Sequence, residues 1–129
     1  MQSLDRTTQD VVVHVGTVSA DTVLPAIVLS RKAKIKQVSL LNGAAVAADN
    51  TNYVQVSLKH GSDVIAELDS RAAHENGLAQ NTKEALNLVE AYLEQAKDAV
   101  LTVDVNVEGT AVLTNAKLVL QVLPIGSAD

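Results

Sequence analysis

Four consecutive residues, Asp49-Asn50-Thr51-Asn52, offer side-chain oxygens at alternate positions, as the opening of a calcium-binding loop does. Such a loop also needs Gly at its sixth position and Glu at its twelfth, where this chain has Val54 and His60. Asp and Asn side chains equally satisfy the backbone of a turn. The corner is therefore expected to turn the chain.

The histidines, His14, His60 and His74, show no metal-ligand spacing such as His-x-x-x-His. His14 alternates with Val13 and Val15 as on a strand, His60 falls at a turn and His74 in a polar loop. There is no Gly-x-Ser-x-Gly elbow to raise a nucleophile and no Gly-rich phosphate cradle ending in Lys-Ser or Lys-Thr. Asp63, Glu67 and Asp69 sit at alternate positions of one run and are expected on one solvated strand face, not as an acid/base pair. No catalytic residue, cofactor or metal ligand is assigned, and the chain is expected not to be an enzyme. A metal-dependent cupin built on the three histidines is the rival that metal analysis would reveal.

One run concentrates positive charge: Arg31, Lys32, Lys34 and Lys36 in "SRKAKIK". Lysines on one strand face can stop a sheet edge from pairing with a neighbour, and they can equally dock on an acidic protein surface. Both readings stand on the sequence.

These residues must be held by strands. "LTVDVNV" sets Leu101, Val103, Val105 and Val107 on one face and Thr102, Asp104 and Asn106 on the other. "YVQVSLK" repeats the pattern, with Val54, Val56 and Leu58 opposite Gln55, Ser57 and Lys59. Carried along the chain, the period of two predicts eight strands near 10–18, 22–30, 34–42, 52–60, 63–69, 83–90, 99–107 and 114–123. Breaks fall at Asn42-Gly43, His60-Gly61, Asn76-Gly77 and Glu108-Gly109, each with a Gly able to take positive φ; a two-residue reversal is expected at His60-Gly61. Pro25 suggests an edge strand or bulge, and Pro124 a strand end. In "KEALNLVEAYLEQAKDA" the apolar residues also fit a helical stripe. Strand and helix both remain open there, with a strand through about Val89 and a short helical segment near 91–97 preferred.

The predicted fold class is thus all-β: a two-sheet sandwich over residues 10–125, with a polar N-terminal arm at 1–9 and a tail at 126–129. At 129 residues one core suffices. It is filled with Val, Ala and Leu, for there is no Phe or Trp, and the aromatics are Tyr53 and Tyr92. So few rings make a poor platform for stacking bases, and a net charge of −5 repels phosphate, so nucleic acid is not an expected partner. With no cysteine, disulfides and thiolate sites do not arise. The opening "MQSLDRTTQD" shows no secretion-signal pattern, and no apolar run approaches the ~20 residues a membrane helix needs. The expectation is a soluble protein made in a cytoplasm, with no membrane association.

The order "KIKQVSLLNGAAVAADNTNYVQVSLKHG … VIAEL … EALNL … DAVLTVDVNVEGTA … LVLQVLPI" resembles the decoration, or cement, proteins of tailed-phage heads. Their Ala-Asp-x-x-Asn-Tyr corner before a strand, Gly turn after it and later Leu-Thr-Val strand correspond here to Ala48–Tyr53, Gly61 and Leu101–Val103, within residues 33–125. The resemblance implies a jelly-roll or similar β-sandwich that attaches to the outer surface of a capsid and bridges copies of the major capsid protein, commonly as a trimer. The segment before residue 33 and "EAYLEQAKD" depart from the pattern. In this reading Gln2, Ser3, Leu4, Asp5 and Arg6 of the arm, with Arg31, Lys32, Lys34 and Lys36, are the candidate protein-interaction residues. The alternative is a receptor- or glycan-binding module of a tail fibre or baseplate, with Tyr53 and Tyr92 its sparse aromatic faces.

Overall fold

The computed structural model describes residues 8–71 and 77–125. Ten strands run through them: β1 (Gln9–Val18), β2 (Thr22–Val28), β3 (Ala33–Leu41), β4 (Tyr53–His60), β5 (Asp63–Asp69), β6 (Lys83–Ala85), β7 (Asn87–Leu88), β8 (Glu94–Gln95), β9 (Val100–Glu108) and β10 (Leu113–Pro124). They form two antiparallel sheets, one ordered β1-β10-β3-β6 with β8 also on β3, the other β2-β9-β4-β5-β7. Strand β1 pairs with β10, β2 with β9, β3 with β6 and β4 with β5. The chain thus pairs as one long hairpin folded over on itself, successive pairs falling in alternate sheets. This is jelly-roll connectivity.

Alternation explains which side chains lie between the layers. Val54, Val56 and Leu58 of β4 and Leu101, Val103 and Val105 of β9 are fully buried, as are Ile35, Val38 and Leu40 of β3 and Leu113, Leu118 and Leu120 of β10. Branched aliphatic side chains fill this space without a single aromatic among the buried residues. In β3 the phase changes midway. Gln121 pairs with Gln37 and Val122 with Ile35, leaving Lys36 as the extra residue of a bulge that lets Ile35 and Val38 both face inward.

Eight strands were expected and ten are found, because the predicted strand 83–90 breaks up. Its chain pairs with β3 as β6, crosses to pair with β5 as β7, turns through a 3-10 helix at Glu90–Tyr92 and returns to β3 as β8. Leu86 and Leu93 are buried, and the backbone bonds Leu86 N to Val38 O, Val89 N to Ile65 O and Ile35 N to Leu93 O, each 2.8 Å, stitch the segment to both sheets. Its apolar spacing serves two layers in turn, so neither a strand period nor a helical one persists. The helical segment expected near 91–97 is correspondingly reduced: Glu94 and Gln95 are strand, and Lys97-Asp98 is a turn.

Pro25 lies on edge strand β2, beside a bulge between Pro25 and Ile27, as the missing donor demands. Lys34 and Lys36 do not guard an edge: β3 is flanked by β10 on one side and by β6 and β8 on the other, with Lys34 opposite both Leu123 and Glu94. The reversal after β4 uses Gly61 and Ser62, one residue later than expected, with His60 opposite Asp63. Gly61 and Gly109 take the expected positive φ, 60° and 65°. Gly43 is required for a different reason, since a Cβ there would lie 2.8 Å from the Thr114 carbonyl oxygen. Asn76 lies outside the described residues.

Leu101 is fully enclosed between the sheets. Leu101→Ala should lower stability by about 2–5 kcal/mol, read as a reduced urea midpoint with an unchanged slope.

Candidate functional site

The outer face of β9, β4, β5 and β7 forms a shallow polar concavity of about 270 Å³, lined by Gln55, Ser57, Lys59, Glu67, Asp69, Arg71, Asn87, Asp104 and Asn106, with Leu68. Register assembles it. Ser57 lies opposite Asp104 on β9 and Glu67 on β5, Glu67 opposite Asn87 on β7, and Gln55 between Asn106 and Asp69. The alternation that sends Val54, Val56 and Leu58 inward sends these residues out.

Most of the charge here is already matched within the chain. Lys59 Nζ donates to Asp104 Oδ2 at 2.7 Å, with both side chains under a third exposed at 28% and 27%. Gln55 Nε2 donates to Asp69 Oδ2 at 2.8 Å, and the Arg71 guanidinium and backbone N–H donate to the same carboxylate. Partial burial acts to raise the Asp69 pKa, but the hydrogen bonds from Arg71 and Gln55 outweigh it and hold the carboxyl below its ordinary value. Asp69 in turn raises the pKa of Arg71, mainly by that hydrogen bond. The guanidinium also lies 4.9 Å from the centre of the Tyr53 ring, a cation–π contact that takes up one face of the one aromatic beside this site. The face offers fixed donors and acceptors, and its cations are held by neighbouring anions.

The corner Asp49–Asn52 spends its oxygens on the chain itself. Asp49 Oδ1 accepts from Thr51 N at 2.7 Å and Asn52 N at 2.9 Å, and these two bonds, that from Asn52 foremost, lower the Asp49 pKa. Asn52 Oδ1 accepts from Thr110 N at 2.8 Å and Thr110 Oγ1 at 3.1 Å, tying the corner to the turn after β9. Glycine is needed at 109 both for its φ of 65° and because a Cβ would collide with Asn52 Oδ1 and the Thr51 carbonyl. Nearby, buried Asn42 accepts from Thr114 N at 2.7 Å and donates to Ala44 O at 2.8 Å, so its amide is satisfied.

The other sequence candidates are dispersed. His14 is exposed on β1 and His60 exposed at the hairpin, while His74 lies outside the described residues. Among the described residues no group of three or more His, Asp or Glu could hold a metal ion. Asp63 does not share a face with Glu67 and Asp69: a bulge at Ile65 shifts the phase of β5, burying Ile65 and Ala66 together. Lys32 Nζ reaches Glu94 Oε1 at 3.9 Å between exposed side chains, a pair of little energetic weight. Lys34 and Lys36 point outward from β3, and Arg31 sits half-buried in the β2–β3 connection. Gln2, Ser3, Leu4, Asp5 and Arg6 lie outside the described residues. The residues that sequence reasoning missed are those of the concavity. Their outward phase was legible, but partners such as Lys59 and Asp104 meet only through strand register.

Comparison with models of known protein families gave no match, and comparison with curated proteins gave none either.

Two substitutions test this geometry. Gly109→Ala should destabilise the fold by about 1–3 kcal/mol in thermal or urea unfolding, through strain at positive φ and the collision with Asn52. Asp69 has a lowered folded pKa, so its contribution is full above the unfolded value of about 3.9 and is lost as pH falls through the folded value. Asp69→Asn should therefore flatten the loss of stability below about pH 4 relative to the parent chain.

Proposed function

We propose that this chain is a virion structural protein, a decoration or cement protein that binds the outer surface of a phage capsid and stabilises it. The observation that carries this reading is the use made of the resemblance-bearing residues. Asp49 and Asn52 give their oxygens to backbone N–H groups of the corner and of the turn after β9, and Leu101 and Val103 are core. The residues that carry the resemblance are thus framework residues of a sandwich, and a cement protein needs a rigid sandwich with one surface that fits the shell.

The mechanism is mass action. A protein that binds the assembled lattice and not the separated subunits stabilises assembly by the free energy of that binding, and many copies on one particle act together. The contact surface in this reading is the N-terminal arm with the basic run Arg31, Lys32, Lys34 and Lys36, set against an acidic patch of the major capsid protein. A trimer on the shell follows from the resemblance. The site of action is the virion surface.

A second reading, a glycan-binding module of a tail fibre or baseplate, is favoured by the polar concavity on β9, β4, β5 and β7. Against it stands Arg71 over the Tyr53 ring, where a sugar would need the open aromatic face. A glycan array separates the two, and binding to a defined glycan that Gln55→Ala abolishes would favour the module.

Removing residues 1–7, which leaves β1 intact, should weaken co-sedimentation with assembled shells of the cognate capsid protein while circular dichroism stays unchanged. Equal occupancy of truncated and full chains would refute the role of the arm, and no co-sedimentation of either would refute the capsid reading.

A further inference from the structure

Three of the four sheet edges carry a device that blocks pairing with another chain. Edge strand β2 has Pro25 and the bulge after it. The far edges are made of β6, β7 and β8, which are only two or three residues long. Strand β1 is different. Its first six residues, Gln9–His14, run opposite Val122–Lys117 of β10 without a register shift, and the bulges fall only after His14. They contain no Pro, Gly or Lys, and their outer edge has no strand partner among the described residues.

The side chains of this stretch are self-complementary. Asp10, Val12 and His14 point outward and are exposed, Val12 at 51%, while Val11 and Val13 point toward the core. Asp10-Val11-Val12-Val13-His14 reads as acid, three valines, base. Laid antiparallel on itself about Val12, it places Val12 opposite the partner's Val12 and Asp10 opposite the partner's His14, twice. Because Val12 lies opposite Val119 and His14 opposite Lys117, two aligned rows result. One is Val119, Val12, the partner's Val12, the partner's Val119. The other is Lys117, His14, the partner's Asp10, the partner's Gln121. On the inner face Val11 meets the partner's Val13. Neither Asp10 nor His14 has a side-chain hydrogen bond among the described residues, so both are available.

The neighbouring seam also lacks cover. Val11 of β1 and Leu24, Ala26 and Ile27 of β2 are only partly buried where they pack on the core. All four lie on the two strands that form this side of the sandwich.

We propose that the chain forms a two-fold dimer by antiparallel pairing of β1 with β1 of a second copy, centred on Val12, which joins two sheets into one. The interface is isologous, each copy offering the same strand, and a one-residue slip would oppose Asp10 to Val13 and turn the valine faces apart. The inference stands apart from the capsid reading, whose trimer is an assembly on the shell: the dimer is a state of the free chain, and shell binding and solution mass are measured separately.

Native mass spectrometry and sedimentation of the full chain at micromolar concentrations should show a dimer. Val12→Lys opposes two like charges on the two-fold axis and should raise the dissociation constant by about tenfold or more with an unaltered circular dichroism spectrum. Asp10→His alone should weaken the dimer, and the swap D10H/H14D should restore it. The chain has no cysteine, so Val12→Cys should give a covalent dimer on mild oxidation while Ser57→Cys, on the outer face of the other sheet, should not. A monomer at these concentrations, or a dimer or trimer that survives Val12→Lys and gives no cross-link through position 12, would overturn the proposal.

Discussion

The pairing of β4 with β9 is the constraint on which the molecule rests. It is the one long ladder without a register shift, running from Tyr53 opposite Glu108 to His60 opposite Leu101. Its inward rows Val56 with Val105 and Leu58 with Val103 lie fully within the core, and Val54 with the partly buried Val107 closes one end of it. Its outward rows, Gln55 with Asn106 and Ser57 with Asp104, make the floor of the polar concavity. A slip of one residue would reverse both sets at once, exposing valines and burying Lys59 with Asp104.

Around that pair the core is made of short, branched side chains. Such residues have few rotamers and fit a pleated surface, so the interior is defined by shape and by close approach of backbones. Two of the buried polar groups, Asn42 and Ser70, sit where strands stop. Ser70 continues the β4 ladder with its hydroxyl, accepting from Val54 N at 2.9 Å, and Asn42 joins the end of β3 to Thr114. These bonds satisfy the donors at the strand ends, while within β3 the buried Ser39 hydroxyl has no partner among the described residues.

Much of the architecture was legible because alternation is a local property. Seven of the eight expected strands are found with ends moved by a residue or two, as Val54–Leu58 and Leu101–Val107 show most plainly. The exception, 83–90, was illegible with the segment after it because the pattern mixes two partners: Leu86 and Leu93 serve the gap between layers while β7 leaves for the other sheet. Bulges at Lys36 and Ile65 were hidden for a related reason, since a single inserted residue looks like an ordinary break in alternation. The polar concavity joins residues 45 and 51 positions apart, Lys59 with Asp104 and Gln55 with Asn106. Only register brings them together, and register is not written in any one segment. The corner at Asp49 was read correctly because its bonds are to residues two and three positions on.

The folded-hairpin connectivity fixes an order of events in time. The hairpin of β4 and β5 can close as soon as it is made, and β9 and then β10 can join only later, so β1 waits for nearly the whole chain before its partner exists. During synthesis, then, the first of these ten strands is the last of them to be paired, and its run of valines stays open to a chaperone or a neighbouring nascent chain for longest.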